Sequence, residues 1–382
     1  MTSLKQQSGR FLFLDIFRAV SIILMLQGHV FRAVLDNAIR EQWWFDIHEF
    51  IHGLTAPAFL VSAGLTFGIS TLRKHEEYIQ LSPAFFKRIG RFVVVLFIGY
   101  ALHLPTLSFK QLTTAATYFD YLTLTQVDVL QCIGITLLFS QIVLFFVKEE
   151  RKLLLIISLL SFLILLVTPL MQNQEFLKSL PLSVSQYLDI YNGSNFPLLP
   201  NAVFIFAGIL LATRFLKLAN DEHLEKFFKK LSRFGLLIAV LAPIVFFLPF
   251  DFYPVNDFWK TSPNFVFTRF GCVLLLLSGV WYFTTKVKTI PSLIPLLGKE
   301  SLFIYVFHLP LIYGSPINYH SLYVFFGGKL NVLEAFGIFV LLSLVVIAVA
   351  KQWHSLKANK LKTLRYIQVG MATTYLLLFF LL

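Results

Sequence analysis

The stretch FLFLDIFRAVSIILMLQGHVFRAVL, residues 11–35, is long enough to cross a bilayer and yet contains Asp15, Arg18 and His29. Ionisable residues inside a membrane-spanning helix are costly, and by default they mark a functional site. At about 100° per residue these three side chains fall on one helical face. Arg18 and His29 are about 16 Å apart along the helix axis. This helix is therefore predicted to line a polar path through most of the membrane.

The composition predicts an all-α, polytopic integral membrane protein. Of the 382 residues, 57% are hydrophobic and 14% are charged, whereas about 25% are charged in a typical soluble domain. About eleven apolar stretches approach the ~20 residues that a membrane-spanning helix needs. They lie at residues 11–35, 50–70, 89–107, 127–147, 153–171, 198–216, 234–250, 263–283, 301–317, 331–350 and 365–382. A single membrane domain over residues 1–382 is expected.

Basic residues alternate in number from loop to loop along the chain. Of the 32 Lys and Arg residues, 24 lie in segments on the N-terminal side of the predicted membrane and six in the opposite loops. The six are Arg32, Arg40, Lys110, Lys178, Lys260 and Lys329. This split predicts a cytoplasmic N-terminus and, with eleven spans, an external C-terminus in a cell membrane. The formal net charge of +12 suits the anionic inner leaflet of the lipid bilayer and needs no nucleic-acid partner.

The segment HEFIH, residues 48–52, is formally an HExxH motif at the outer end of the second predicted span. Two histidines at i and i+4 can bind Zn²⁺ with the glutamate as general base. A zinc site also needs a third ligand on the same side, where Glu334 is isolated, so no metal is expected. Chemistry by His48 or His52 without a metal and ordinary interfacial packing both remain open.

Further polar residues stand in or at the ends of predicted helices. Asp128 and Gln131 open the fourth helix, where the alternative for Asp128 is a helix-end anion. Arg269 lies in the outer half of the eighth helix, where a guanidinium calls for a carboxylate partner or an anionic ligand. Asn201 follows two prolines at a helix start, and His308 lies about two turns into an apolar helix, as a packing or a functional residue.

Several segments, taken in this order, resemble the transmembrane acyltransferase superfamily. Within it they resemble the heparan-alpha-glucosaminide N-acetyltransferase-like bacterial proteins and, more distantly, the acyltransferase-3 family. The segments are LDIFRA at 14–19 followed by Met25, HGLTAPAF at 52–59 with SAG at 62–64, DVLQCIG at 128–134, FPLLP at 196–200 and GKESLFIYVFH at 298–308. The resemblance spans about residues 11–315, and residues 331–382 add helices without a motif.

The resemblance implies an enzyme that moves an acetyl group from cytoplasmic acetyl-CoA to a hydroxyl or amine of an extracytoplasmic acceptor, a sugar by analogy. His48 corresponds to the essential histidine of the heparan-type branch, and His29 corresponds to that of the acyltransferase-3 branch. Both are catalytic candidates, as a general base or as a transient acetyl carrier. The sequence does not decide which of the two leads, and it is compatible with a homodimer.

The remaining candidates are assigned within the same scheme. The residues expected to bind acetyl-CoA are Arg18, Asp15, His308 and Arg269. The residues expected to contact the acceptor or stabilise the oxyanion are Asp128, Gln131, His52 and Asn201. A transporter or flippase of a polar small molecule would explain the intramembrane charges equally well, and an intramembrane zinc hydrolase built on His48, Glu49 and His52 is a second alternative.

Overall fold

The computed structural model describes residues 11–218, 221–248, 253 and 257–381, so Lys5 and Arg10 of the predicted cytoplasmic segment lie outside the described residues. Helices account for the regular structure of these residues. In chain order the α-helices are α1 Leu12–Val34, α2 Asn37–Arg40, α3 Trp43–His52, α4 Thr55–Arg73, α5 His75–Tyr78, α6 Pro83–Leu102, α7 Phe109–Thr114, α8 Tyr118–Thr125, α9 Val129–Val147, α10 Glu150–Met171, α11 Glu175–Lys178, α12 Leu182–Leu188, α13 Leu198–Lys217, α14 Asp221–Phe246, α15 Pro263–Lys286, α16 Leu293–Lys299, α17 Ser301–Tyr313, α18 Leu322–Phe326, α19 Val332–Asn359 and α20 Leu361–Leu381. The predicted all-α fold class is confirmed.

Eight segments among the described residues are long and apolar enough to cross a membrane. They are Leu12–Val34, Trp43–Arg73, Val129–Val147, Glu150–Met171, Leu198–Lys217, Pro263–Lys286, Val332–Asn359 and Leu361–Leu381. Helices α16 and α17 together meet the same criteria but are bent by 81°. Two further predicted spans coincide with α6 and α14, whose N-terminal halves carry several charged residues. The multi-pass helical architecture is confirmed, and the count of eleven spans stays a prediction.

The described residues divide into two compact units. The first unit comprises the described parts of Met1–Thr55, Leu104–Tyr121 and Tyr282–Leu382. The second unit comprises the described parts of Ala56–His103 and Leu122–Trp281. The prediction of one membrane domain therefore stays a prediction.

Helix α1 is the central element of the first unit. It contacts α3, α16, α17, α18 and α19, and its apolar residues such as Phe17, Ile22 and Val30 are fully buried. Just beyond its C-terminal end, the Asp36 amide donates to the Leu330 carbonyl at 2.9 Å. A helix enclosed in this way keeps its polar side chains inside the protein, which is where intramembrane ionisable residues normally lie.

Gly298 allows α16 to approach the backbone of α1 closely. A Cβ atom at this position would overlap the carbonyl group of Asp15. The same close approach occurs in the second unit, where a Cβ at Gly64 or Gly208 would meet the backbone of the facing helix. Small residues at such helix contacts are typical of membrane proteins.

Glu300 stands at the bend between α16 and α17 and is almost completely buried. Its Oε1 lies 2.8 Å from His354 Nδ1, and Lys357 Nζ donates to its Oε2 at 3.2 Å. Both partners belong to α19. Because a buried carboxylate is tolerated only with such partners, this group of three residues ties the bent helix pair to α19.

We expect Gly298→Ala to lower the free energy of unfolding by about 1–3 kcal/mol, because the added methyl group must displace the α1 backbone. Thermal unfolding of the detergent-solubilised protein measures this loss. Gly337→Ala is the matched control, since a Cβ on this helical glycine meets no atom within 4 Å. Equal unfolding midpoints for the two variants would contradict the proposed tight contact.

Candidate functional site

Four histidines of the first unit lie together and are called the histidine cluster: His29, His48, His52 and His308. The ring centroids of His29 and His52 are 5.2 Å apart, and those of His29 and His308 are 5.3 Å apart. The rings of His48 and His52 are 6.3 Å apart. The structure therefore brings both predicted catalytic histidines into one site.

Three helices position the histidine cluster. Helix α1 contributes His29 near its C-terminal end, α3 contributes His48 and His52 one turn apart on the same face, and α17 contributes His308. Gly28 makes the contact between α1 and α3 possible, because a Cβ there would overlap the His52 ring. The cluster thus depends on a glycine that the sequence analysis did not select.

Tyr313, at the C-terminal end of α17, holds the imidazole of His29. The Tyr313 hydroxyl donates to the His29 carbonyl at 3.3 Å, and its oxygen lies 3.0 Å from His29 Nδ1. With the phenolic hydrogen engaged on the carbonyl, the Nδ1–H group of His29 donates to the phenol oxygen. This arrangement leaves the lone pair of His29 on Nε2, the nitrogen that can accept a proton.

His308 is fully buried beside His29. Its Nδ1 lies 2.9 Å from the Ile304 carbonyl oxygen, so Nδ1–H donates and the lone pair lies on Nε2. Nε2 makes no hydrogen bond within the described part of the chain. Buried polar atoms are normally satisfied, so this nitrogen is available to a further group beside the His29 ring.

His48 is oriented by two polar neighbours. Its Nε2–H donates to Gln27 Oε1 at 3.0 Å, and its Nδ1 lies 3.5 Å from Glu49 Oε1. Arg32 Nε donates to the other carboxylate oxygen of Glu49 at 2.6 Å. This carboxylate is therefore placed to stabilise a proton on the Nδ1 of His48.

The Asp15–Arg18 pair lies elsewhere on α1. Arg18 Nη1 is 3.7 Å from Asp15 Oδ1, and the Asp15 side chain is 5% exposed against 20% for Arg18. His29 stands about 21 Å along the axis from Asp15 and about 16 Å from Arg18. His308, predicted to bind acetyl-CoA together with this pair, lies against His29, and its part in acetyl-CoA binding stays a prediction.

The other four predicted site residues lie in the second unit, where each has local contacts. Asp128 and Gln131 form a capping box at the start of α9, in which Asp128 Oδ1 accepts from the Val129 amide at 2.7 Å. Asn201 Nδ2 donates to the Pro197 carbonyl at 2.8 Å. The guanidinium of Arg269 lies 3.9 Å from the centroid of the Phe265 ring. Their predicted parts in substrate or cofactor binding stay predictions.

Sequence reasoning missed Gln27 and Tyr313. An amide inside a spanning helix, two residues before His29, is a signal that was available. A tyrosine near the end of a membrane helix is ordinarily an interfacial anchor, so no sequence pattern singled out Tyr313. Among the described residues, no three His, Cys, Asp or Glu side chains form a group that could hold a metal ion.

The chain was compared with known proteins. The model of the family described as "Heparan-alpha-glucosaminide N-acetyltransferase, catalytic" matches residues 10–240. No match is found among curated proteins. The matched range includes His29, His48 and His52 of the histidine cluster and ends before His308 and Tyr313. It covers every motif of the predicted resemblance except the segment at 298–308.

Two substitutions of Asp128 test its role as a helix cap. We expect Asp128→Ala to lower the free energy of unfolding by about 1 kcal/mol, whereas Asp128→Asn should leave it nearly unchanged because Asn caps as well as Asp. Thermal unfolding midpoints check this expectation. Equal midpoints for the Ala variant and the unmodified protein would show that the cap contributes nothing.

Proposed function

Because this chain belongs to the heparan-alpha-glucosaminide N-acetyltransferase catalytic family, we propose that it transfers an acetyl group from cytoplasmic acetyl-CoA across the membrane. The acceptor is a hydroxyl or amine of an extracytoplasmic molecule, a sugar by analogy with the name of the family. The single observation that carries the proposal is the histidine cluster, which combines the two candidate catalytic histidines with unpaired imidazole nitrogens. Its histidines lie on α1 and on the segment Trp43–Arg73, both long and apolar enough to span a membrane, and on α17 of the bent helix pair.

The proposed orientation separates donor and acceptor. With eleven spans in a cell membrane and a cytoplasmic N-terminus, Asp15 lies near the inner face and His29 near the outer face. Acetyl-CoA is anionic and enters from the basic cytoplasmic side. Arg18 carries a charge suited to its phosphate groups, and the paired Asp15 holds Arg18 in place. Arg269 is proposed as a further acetyl-CoA contact in the outer half of its own helix.

Transfer at the histidine cluster then follows ordinary acyl chemistry. The Nε2 of His29 or the Nδ1 of His48 removes the proton from the acceptor O–H or N–H while that atom attacks the thioester carbonyl carbon. The new C–O or C–N bond forms, the C–S bond breaks, and the proton passes to the departing CoA thiolate. If the imidazole itself attacks first, an N–C bond forms, the C–S bond breaks and CoA leaves as the thiolate, which gives an acetyl-histidine. In a second step the acceptor attacks the acetyl carbon, the N–C bond breaks, and the acceptor proton returns to the imidazole.

Other residues are proposed to support the catalytic histidines, the thioester donor and the acceptor. Glu49, held by Arg32, stabilises the imidazolium of His48 as it takes up a proton. His52 and His308 lie within ring contact of His29 and keep the thioester end near it. Acceptor contacts and oxyanion stabilisation are proposed for Asp128, Gln131 and Asn201.

Two other functions use the same residues. A transporter of a polar small molecule would need the intramembrane charges but no acetyl-CoA, and movement of unmodified substrate without acetyl-CoA would favour it. A zinc hydrolase would use Glu49 as general base between His48 and His52. In the structure Glu49 is engaged by Arg32, so no contact favours that alternative over acetyl transfer.

We expect His29→Ala and His48→Ala each to lower acetyl-CoA turnover at least about 100-fold, because general-base catalysis typically contributes that much. The measurement is acetyl-CoA binding and slow hydrolysis by the purified protein in detergent. His320→Ala, which changes an exposed histidine outside the cluster, is the matched control. Near-normal turnover in both cluster variants, with intact unfolding midpoints, would refute the scheme.

Tyr313→Phe tests whether the tyrosine positions His29. We expect kcat to fall about tenfold with KM for acetyl-CoA unchanged, because the ring loses the hydrogen bond that selects its tautomer. The ¹⁵N chemical shifts of His29 should show a mixture of tautomers in the variant. Tyr323→Phe, at an exposed position of α18, is the control. An unchanged His29 spectrum would show that Tyr313 does not select the tautomer of His29.

A further inference from the structure

Glu300, His354 and Lys357 form an ion group around Glu300, at the bend between α16 and α17. We infer that this ion group positions His308 within the histidine cluster, with Glu300 as the positioning residue. The inference rests on the proposed function for the reaction that His308 supports, and on contacts within the first unit for the positioning itself.

The side chain of Glu300 contacts α19 and does not cap its own helix. Glu300 immediately precedes α17, where an acidic group is favourable beside the unpaired amides of the first turn. Within the described chain its side chain makes no such capping hydrogen bond. The carboxylate lies instead 2.8 Å from Nδ1 of His354 and 3.2 Å from Nζ of Lys357. Contacts with α19 therefore fix the residue at which α17 begins.

The burial of the ion group favours a geometric role. The side chain of Glu300 is 3% exposed, whereas those of His354 and Lys357 are 38% and 48% exposed. The carboxylate loses its water, and cations that stay in contact with solvent return only part of that cost. Buried ion pairs add little net stability compared with apolar residues of similar volume. The direction that this group gives to the chain explains it better than stability does.

Two hydrogen bonds lead from Glu300 to the ring of His308. The Glu300 carbonyl accepts from the Ile304 amide at 3.0 Å. The Ile304 carbonyl accepts from Nδ1–H of His308 at 2.9 Å. Ile304 and His308 are both fully buried, so water does not compete for the second bond. The position of Glu300 thus sets the carbonyl that leaves the lone pair of His308 on Nε2.

Helix α17 carries any movement at the bend to the histidine cluster. His308 is eight residues after Glu300, which is about 12 Å along the helix axis. A tilt of about 5° at the bend would move the imidazole by about 1 Å, and a misplacement of about 1 Å can lower a rate about 100-fold. Phe303 of α17 stacks on Trp353 of α19, with ring centroids 4.5 Å apart. This stack and the ion group together limit the tilt.

The experiment follows the His308 ring by ¹⁵N NMR in the full-length protein in detergent, with the histidines labelled. Its signals are assigned by their loss in His308→Ala. We expect Glu300→Gln to shift the His308 signals towards a mixture of tautomers, because the amide keeps the size of the side chain but loses the charge that pairs with α19. The kcat for acetyl-CoA turnover should fall about tenfold with KM unchanged.

A double-mutant cycle measures whether the effect passes through His308. In the His308→Ala background, Glu300→Gln should cause no further fall in kcat. Glu334→Gln is the matched control, because Glu334 is a carboxylate of the same unit that accepts from the Asn331 amide at the other end of α19. This control should leave kcat and the His308 signals unchanged.

Lys357→Gln keeps the inference testable if Glu300→Gln does not fold, since the Lys357 side chain is half exposed and His354 still contacts the carboxylate. It should alter the His308 signals, whereas Lys357→Arg should preserve them. Unaltered His308 signals in Glu300→Gln, or in Lys357→Gln where the first variant does not fold, would overturn the inference even if the unfolding midpoint is lower. So would an equal loss of kcat with and without His308, or the same change in Glu334→Gln.

The same samples distinguish the failure of this inference from the failure of the proposed function, because the His308 signals need no substrate. If they respond to Glu300→Gln in a protein that does not hydrolyse acetyl-CoA, the proposed function is refuted and the positioning of His308 stands. If hydrolysis depends on His29 and His48 while the His308 signals do not respond to Glu300→Gln, the positioning is refuted and the proposed function stands.

Discussion

The contact between α16 and the backbone of α1 at Gly298 determines how the rest of the first unit is arranged. Since no side chain separates the two helices there, α1 lies at a fixed depth against α16, and the chain must turn by 81° before α17 begins. After that turn α17 runs beside α1, so that His308 and Tyr313 contact His29 near the C-terminal end of α1. This contact between two backbones thus sets the distance between the imidazoles of His29, 14 residues beyond Asp15, and His308, 10 residues beyond Gly298.

Within the described residues, the Nδ1 of His48 and the Nε2 of His308 make no hydrogen bond. His29, His48 and His308 each use one ring nitrogen on a fixed partner, respectively the Tyr313 hydroxyl, the Gln27 amide oxygen and the Ile304 carbonyl. A ring held through one nitrogen presents the other in a defined direction, and this is what proton transfer requires. The cluster therefore combines rigid orientation with unused basic atoms, a combination that simple helix packing does not need.

The sequence predicted most of the helices, because apolar stretches of spanning length are a direct consequence of the membrane environment. It also selected His29 and His48 as candidates, through a polar face on α1 and a family resemblance, and the structure places both in one cluster. It could not predict the 81° bend before α17, since the charges of Lys299 and Glu300 indicate a helix end and not the direction of the next helix. Nor could it predict that His308 lies against His29, because that contact joins residues about 280 positions apart and depends on the bend.

For Asp128 and Asn201, two structural interpretations of the sequence agree with the observed contacts. They are a helix-end anion for Asp128 and a position at a helix start for Asn201. Asp128 caps α9, and Asn201 bonds to a carbonyl one turn earlier. Both contacts are local in sequence, so turn and capping rules reach them.

The ion group around Glu300 gives the C-terminal part of the chain a role that its sequence does not suggest. Helix α19 carries no family motif and lies beyond the matched range. Its His354 and Lys357 nevertheless pair with the buried carboxylate of Glu300 at the start of α17. A protein ending before α19 would leave that charge uncompensated, at a cost of about 3–5 kcal/mol. Residues as far as Lys357 therefore contribute to the stability of the first unit, well past the range that matches the family model.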